Sequence, residues 1–218
     1  MFIATAAIGG PLPEVSFRGS LFNDAPNLRT YSTSIDLGTA HPSRLIVVGT
    51  ACVTSSGEQP TTCTVDGVGA TLAVGNSVPG LASVPQQLWY VARPTGGVVT
   101  VAFNKPGGGD MDRGSLAVWS VYYLRSQAPR GTNADTTGPG ANPSSVPLTV
   151  LGASAVFGAA ATSVGSNITW GATGLTLDAS EGLTPFQSAY GSADRVPAGT
   201  RTIQFSGALN NAVSAYWR

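Results

Sequence analysis

Apolar and polar residues alternate along much of this chain with a period of two, which is the pattern of a half-buried β-strand. From Tyr31 to Leu37 the odd-numbered positions are Tyr, Thr, Ile and Leu, while the even-numbered positions are Ser or Asp. Similar segments follow, each bounded by Gly, Pro or Asn, and they predict further strands. These segments are 44–53, 61–67, 87–93, 97–104, 115–124, 153–162, 167–172, 186–193, 200–207 and 211–218.

The spacing of these segments predicts the fold class. No stretch sustains an apolar period of 3.6 residues, so little or no helix is expected. Segments 87–93 and 97–104 are joined by Pro-Thr-Gly-Gly, a short glycine-containing connection that favours an antiparallel hairpin. Many short strands separated by turns predict an all-β fold, an antiparallel β-sandwich of the jelly-roll kind.

The domain organisation depends on a segment where the alternation stops. Residues 126–147 are rich in Pro, Gly, Ser and Thr, which predicts a long loop or linker. Residues 148–218 contain few large apolar side chains, so we expect one sandwich over 15–218 to which both halves contribute strands. The alternative is two subdomains, 15–125 and 148–218.

Charge is sparse in this chain. Charged residues make up 10% of it, and eleven basic and eleven acidic residues give a net charge of zero. Because no basic stripe is present, binding to nucleic acid or to an anionic membrane is not expected. The first residues lack a basic region and the longest apolar stretch, 150–161, is too short to span a bilayer. We therefore expect synthesis in the cytoplasm without a signal peptide.

Cys52 and Cys63 are the two cysteines of the chain, and they flank a connection rich in Gly, Pro, Ser and Thr. If strands 44–53 and 61–67 form a hairpin, these cysteines lie directly opposite each other and a disulfide is within reach. The alternatives are two buried thiols, a metal site or a redox pair. A metal site lacks ligands, because His41 is the single histidine, and a redox pair normally has the spacing C-x-x-C.

Candidate catalytic and metal-binding residues are few. His41 precedes a proline at a predicted turn, where an exposed loop histidine is the simpler interpretation. Asp178 and Glu181 are three residues apart in a predicted loop, which is an unpromising arrangement for glycoside hydrolysis. Asp110 and Asp112 lie in a glycine-rich loop and form a weak calcium candidate that lacks further acidic ligands. No cofactor is expected.

Adjacent aromatic residues in predicted strands point to opposite faces of a sheet. This applies to Trp89 with Tyr90 and to Tyr216 with Trp217. One ring of each pair therefore faces either a second packing layer or a contact surface for a neighbouring subunit or a sugar. We expect Tyr216 and Trp217 to be candidates for partner contact.

The order of "SRLIVVGTACV", "CTVDGVGATL", "LWYVARPTGGVVTVAF" and "LAVWSVYYL", followed by "ITWG" and "TIQFSGALNNAVSAYWR", resembles a sandwich pattern of structural proteins in tailed-phage particles. The resemblance covers about residues 30–218. It implies a virion component without enzymatic activity, such as a head decoration protein or a spike, collar or tail-associated subunit.

Three functional hypotheses follow. The first is a structural protein of a phage particle that binds other virion proteins or copies of itself. In this hypothesis residues 1–14 form an extended arm, whose apolar residues Phe2, Ile3, Ile8 and Leu12 contact a neighbour. The second is a carbohydrate-binding or adhesin module that uses exposed aromatic rings. The third is a glycan hydrolase that uses Glu181.

Overall fold

The computed structural model describes residues 10–54, 59–76, 84–105, 110–135, 144–162, 169–170, 174–183, 186–206 and 211–218. Within them all regular secondary structure is β-strand, and the strands pair antiparallel. The predicted all-β class is therefore confirmed, and every predicted strand overlaps an observed one, although 167–172 does so only at Thr169–Trp170. The described part of the chain contains no helix able to cross a membrane.

The N-terminal half of the chain forms two sheets. Sheet A has the strand order β1 (Glu14–Asn23), β9 (Met111–Tyr122), β3 (Leu45–Thr54), β7 (Gln86–Ala92) and β6 (Thr71–Asn76). Sheet B has the order β2 (Thr30–Asp36), β8 (Val98–Asn104), β4 (Thr62–Val65) and β5 (Val68–Gly69).

The C-terminal half forms two further sheets. Sheet C has the strand order β10 (Gly131–Ala134), β17 (Asn211–Trp217), β12 (Ser154–Thr162), β15 (Phe186–Val196) and β14 (Thr176–Leu183). Sheet D has the order β11 (Ser144–Val150), β16 (Gly199–Ser206) and β13 (Thr169–Trp170).

Both halves follow the same nested pairing scheme. In the N-terminal half the first strand pairs with the last, β1 with β9, and the next pairs inward are β2 with β8, β3 with β7 and β4 with β5. The C-terminal half repeats this with β10 and β17, β11 and β16, and β12 and β15. A long hairpin rolled up in this way is a jelly roll. The chain thus contains two jelly rolls in tandem.

The four sheets stack in the order B, A, C, D, and a separate apolar core fills each of the three gaps. Strand β3 shows why sheet A is buried on both faces. Its Leu45, Val47 and Ala51 face sheet C, whereas Ile46, Val48 and Cys52 face sheet B. A strand covered on both faces has no polar side, which explains the continuous apolar sequence of this segment.

The core between sheets A and C joins the two halves. Trp119 of β9 packs against Phe157 of β12 at a ring-centroid distance of 5.2 Å, and Phe157 packs against Trp217 of β17 at 5.4 Å. Buried polar groups also bridge the gap. The Ser115 hydroxyl lies 2.7 Å from the Tyr190 hydroxyl, and Asn211 Nδ2 donates to the carbonyl of Val84 at 2.8 Å. Hydrogen bonds in such a dry environment fix the relative position of the two sheets.

Each described sheet draws its strands from one half of the chain, whereas the sandwich formed by sheets A and C has a core with side chains from both halves. The count of large apolar side chains underestimates the core of region 148–218, because many of its core residues are alanines, such as Ala155, Ala159 and Ala161. The predicted loop 126–147 also contains regular structure, since β10 lies within it and β11 begins at Ser144.

The predicted hairpin of 87–93 and 97–104 is wrong. Strand β7 belongs to sheet A, and β8 belongs to sheet B, so the connection crosses from one sheet to the other. Gly97 occurs there at φ 87°, and its backbone exchanges hydrogen bonds with Leu37 and Gly38 instead of closing a local turn. The short glycine-containing sequence therefore connects the two sheets of the jelly roll instead of closing a hairpin.

The hairpin proposed for the two cysteines is also corrected. Cys52 lies on β3 in sheet A, and Cys63 lies on β4 in sheet B, where β4 pairs with β8. Both side chains are buried in the core between these sheets as free thiols, without a disulfide. The chain passes to the opposite sheet between the two strands, so the direct cross-strand pairing assumed from sequence does not occur.

Candidate functional site

A cleft of about 460 Å³ opens at the end of the N-terminal jelly roll where β1 begins and β9 ends. We call it the tyrosine cleft. It is lined by Glu14, Ser16, Arg18, Gly38, Thr39, Ala40, His41, Tyr122 and Tyr123. One wall comes from strands β1 and β9 of sheet A, and the other wall is the loop 37–41 that connects β2 to β3.

A buried guanidinium group holds the loop wall in place. Arg44 is only 2% exposed, and its Nη1 donates to the carbonyl oxygens of Leu37 at 2.6 Å and Thr39 at 3.1 Å. The same side chain donates through Nε to the carbonyl of Arg93 at 2.9 Å and through Nη2 to that of Thr95. Because a buried guanidinium group requires several acceptors, these carbonyls fix the loop around it.

Two adjacent tyrosines face the same cleft, although neighbours in a regular strand point to opposite sides. Tyr123 has φ 59°, a left-handed conformation that ends β9 and redirects its side chain. The His41 ring packs edge-on against both, with centroid distances of 4.9 Å to Tyr122 and 5.2 Å to Tyr123. Ser43 stabilises this arrangement, because its hydroxyl accepts from the Tyr123 N–H and lies 3.0 Å from His41 Nδ1.

Polar groups line the floor of the cleft. Arg18 donates from Nη2 to the Tyr122 hydroxyl at 2.6 Å and from Nε to the Ser120 hydroxyl at 3.0 Å. Burial alone would raise the pKa of the Tyr122 phenol. Hydrogen bonds with Ser120, Arg44 and Arg18, together with the positive charge of Arg18, outweigh burial and lower that pKa below its ordinary value.

The arrangement suits binding of a polar ligand with apolar faces. Tyr123 is 37% exposed and its ring offers a flat surface, while Glu14 is an exposed residue whose carboxylate can accept hydrogen bonds. Sugar rings have this mixed character, with C–H faces that pack on aromatic rings and hydroxyl groups that bind carboxylates and guanidinium groups. His41 and Ser43 are two residues apart, and His41 Nδ1 accepts from the Ser43 N–H at 3.3 Å.

The calcium candidates do not gain a ligand set in the described part of the chain. Asp110 Oδ1 lies 3.3 Å from Arg29 Nε, so its carboxylate already has a cationic partner. No group of three His, Cys, Asp or Glu side chains with the geometry of a metal site occurs among the described residues. Residues 106–109 of the glycine-rich loop lie outside the described ones.

The partner-contact role expected for Tyr216 and Trp217 is corrected. Tyr216 is 2% exposed in the core between sheets C and D, and Trp217 is completely buried between sheets A and C. Trp89 and Tyr90 likewise point to the two covered faces of sheet A. The two rings of each adjacent pair pack into different cores, because sheets A and C are buried on both faces.

The N-terminal arm remains a prediction for most of its length. Phe2, Ile3 and Ile8 lie outside the described residues. Leu12 is 49% exposed and lines a small cavity together with Pro11 and Pro13, close to Tyr123. Strand β1 then begins at Glu14, a strand that the sequence pattern missed because a bulge between Phe17 and Gly19 interrupts its alternation.

Asp178 and Glu181 lie on strand β14 rather than in a loop. Asp178 Oδ2 accepts hydrogen bonds from Trp119 Nε1 at 2.8 Å and from the Ser192 hydroxyl at 2.5 Å. Glu181 Oε1 accepts from the Ser20 hydroxyl of β1 at 2.5 Å. Both carboxylates therefore link sheet A to sheet C. Burial raises the pKa of Asp178, although the two hydrogen bonds oppose this effect.

Sequence reasoning missed the tyrosine cleft. The consecutive tyrosines at the end of a predicted strand and the His-Pro turn were both visible, but nothing in the pattern placed them together. Their meeting depends on the jelly-roll order, which puts the start of β1 and the end of β9 side by side. Comparisons with known proteins find no matching family model and no similar curated protein.

Proposed function

We propose that this protein is a non-enzymatic structural component of a phage particle, which binds other virion proteins or further copies of itself. The observation that carries the proposal is the pair of tandem jelly rolls fused through a common core. Jelly rolls are frequent in viral capsid proteins and in lectins, and fold alone does not decide between such roles. The sequence resemblance to phage structural proteins favours the first.

Apolar side chains on exposed edges support an assembling protein. Leu177 and Leu183 of edge strand β14 are 43% and 55% exposed, and Leu72 of edge strand β6 is 44% exposed. Edge strands with apolar side chains readily bind another chain, so soluble proteins usually protect them. A neighbouring subunit that covers these edges would bury this apolar surface, which would stabilise the contact by roughly 25 cal/mol per Å² of area buried.

The test is the presence of the protein in purified particles. We expect density-gradient-purified particles from a lysate of the host to contain it in a fixed ratio to the other structural proteins, measured by mass spectrometry. Recovery only in the soluble fraction would overturn the proposal. A variant that lacks residues 1–9 retains Glu14–Asn23 and should fold, but we expect it to be missing from particles if the arm contacts a neighbour.

A second candidate function, glycan binding, is favoured by the tyrosine cleft. Tyr123→Ala removes the exposed ring and should abolish binding on a glycan array. Phe17→Ala is the matched control, because Phe17 is 36% exposed against 37% for Tyr123 but does not line the cleft. Equal glycan binding by the wild type and Tyr123→Ala would contradict this role for the cleft.

A further inference from the structure

A second cleft lies near the tyrosine cleft, with a small cavity between them. Tyr123 also lines a small cavity with Pro11, Leu12 and Pro13, and that cavity shares Arg125 and Arg218 with a cleft of about 250 Å³. We call the latter the arginine cleft, and its lining is Arg125, Arg130, Leu151 and Arg218. Because they share lining residues, the three cavities are neighbours on the surface, and we call them together the groove; it extends from residues of the N-terminal jelly roll to residues of the C-terminal one.

Among the described residues that line the arginine cleft, three are arginines and none has a carboxylate side chain, so positive charge is concentrated there. Elsewhere arginines pair with aspartates, as Arg29 does with Asp110, Arg93 with Asp66 and Arg113 with Asp24. Like charges held close together repel each other, and a bound anion removes this penalty. Even if an α-carboxylate at Arg218 is counted, the guanidinium groups outnumber it.

The backbone explains why these arginines stay together. The N–H groups of Arg125 and Ser126 both donate to the carbonyl of Arg218, at 2.8 and 3.1 Å, and the Arg130 N–H donates to the carbonyl of Tyr216 at 2.9 Å. The main chain thus fixes the positions of the three residues. Their side chains take no part in these backbone bonds, and among the described residues all three line the arginine cleft.

We propose that the groove binds an acidic glycan, an inference that rests on glycan binding as the second candidate function. Sugar rings stack on Tyr123, and a carboxylate or sulfate group of the same chain binds the guanidinium groups of Arg125, Arg130 and Arg218. Arginine suits this role because its planar fork makes paired hydrogen bonds to oxyanions. Glu14, at the other end of the groove, accepts hydroxyl groups of the glycan.

A single-stranded nucleic acid is the competing ligand, since it also combines bases that stack with anionic groups. The groove fits it less well. Nucleic-acid sites usually follow the phosphate backbone with many cations, whereas this chain has a net charge of zero and carries Glu14 in the same groove. An oligonucleotide is therefore included in the test as the alternative outcome.

The experiment compares acidic probes with neutral counterparts of the same structure. We would measure binding of oligogalacturonate against its methyl ester, and of sulfated lactose against lactose, by calorimetry on the full chain. The variant R125Q/R130Q removes two groove charges and keeps the backbone bonds. R29Q/R195Q is the matched control, because Arg29 and Arg195 are 64% and 57% exposed and lie outside the groove.

We expect at least one acidic probe to bind at least tenfold more tightly than its neutral counterpart. R125Q/R130Q should lose this preference, and R29Q/R195Q should keep it. The carboxylate and sulfate pairs show which oxyanion is preferred. Equal binding of acidic and neutral probes, or an unchanged preference in R125Q/R130Q, would overturn the inference while leaving neutral glycan binding intact. Binding of oligothymidylate without any glycan would overturn both, as would absence of binding to every probe.

Discussion

Asp178 is a single residue that connects the two jelly rolls. It lies at a bulge of β14, where the pairing register with β15 shifts between Leu177 and Ala179. A bulge redirects the side chain of the extra residue, and here the carboxylate reaches the indole N–H of Trp119 in the opposite sheet. Its pKa is raised because burial destabilises the charged carboxylate by more than the two hydrogen bonds stabilise it.

Replacement of this carboxylate should alter the pH dependence of stability. The folded-state pKa of Asp178 lies above the ordinary value of 3.8, so the native state binds more protons than the unfolded state between these two pKa values. The contribution of Asp178 protonation to the free energy of unfolding therefore falls as the pH rises between these two pKa values. Asp178→Asn does not titrate and keeps an oxygen acceptor for Trp119. We expect its stability relative to the wild type to increase from acidic to neutral pH.

Urea unfolding at several pH values measures this difference. Asp194→Asn, which removes an exposed carboxylate, serves as the control. A stability difference between Asp178→Asn and the wild type that is the same at every pH would contradict the assignment.

Gly49 is a second residue on which the contact between the halves depends. A Cβ atom at this position of β3 would lie 2.8 Å from Cδ1 of Tyr190. The Tyr190 ring is buried and its hydroxyl bonds with Ser115, so it cannot move away freely. We expect Gly49→Ala to lower the free energy of unfolding by about 1–3 kcal/mol.

Gly69→Ala is the matched control, because a Cβ atom there meets nothing within 4 Å. This substitution should change the free energy of unfolding by less than about 0.5 kcal/mol in denaturant titrations. Equal effects of the two substitutions would show that the close approach of Gly49 and Tyr190 does not limit packing.

At the scale of single elements, the positions of the strands with regular alternation were predictable from sequence, and their pairing partners were not. Alternation reports that one face of a segment is buried, but it contains no information about which strand lies alongside. Hence 87–93 and 97–104 were correctly identified as strands and wrongly joined as a hairpin. Irregular strands were missed as well, such as β1 with its bulge and the short β10.

The assignment of the cysteine strands to opposite sheets has a chemical consequence. Burial raises the pKa of Cys63 to about 12, and it raises the pKa of Cys52 further, so neither forms a reactive thiolate at neutral pH. We expect no reaction with Ellman's reagent in the native protein and reaction of both thiols in guanidinium chloride without reductant. A denatured, unreduced sample without reactive thiols would instead indicate a disulfide.

At the scale of the whole molecule, the shared core should make the two jelly rolls unfold together. Phe157 contacts Trp119 of the N-terminal half and Trp217 of the C-terminal half. Phe157→Ala leaves a cavity at this junction and should cost about 3–5 kcal/mol. We expect one transition in the wild type and one transition at lower denaturant in the variant.

Circular dichroism and tryptophan fluorescence recorded on the same samples provide the measurement. Coincident curves indicate a single cooperative unit. Two separate transitions, with only one of them shifted by Phe157→Ala, would show that each jelly roll is independently stable.

The candidate site also belongs to this scale, which is why the sequence did not reveal it. Its tyrosines lie where β9 ends, its histidine lies in the loop between β2 and β3, and its arginines come from β1, from the segment after β9 and from position 218. Charge counting gave a net value of zero, so it concealed a local cluster of arginines whose counter-charges lie elsewhere. Only the folded structure shows that Arg29, Arg93 and Arg113 lie beside aspartates, while other arginines line the arginine cleft.

The repeated nested pairing has a consequence for symmetry. In each half, the sheet that contains the first and last strands packs against the other half. A single jelly roll with this face would need a second copy to cover it, and its stability would depend on concentration. Here one polypeptide supplies both jelly rolls, so their association does not depend on protein concentration. A twofold dimer would also contain two copies of every groove. Because the two halves of this chain differ in sequence and are joined by one connection after β9, the groove is present once in each molecule.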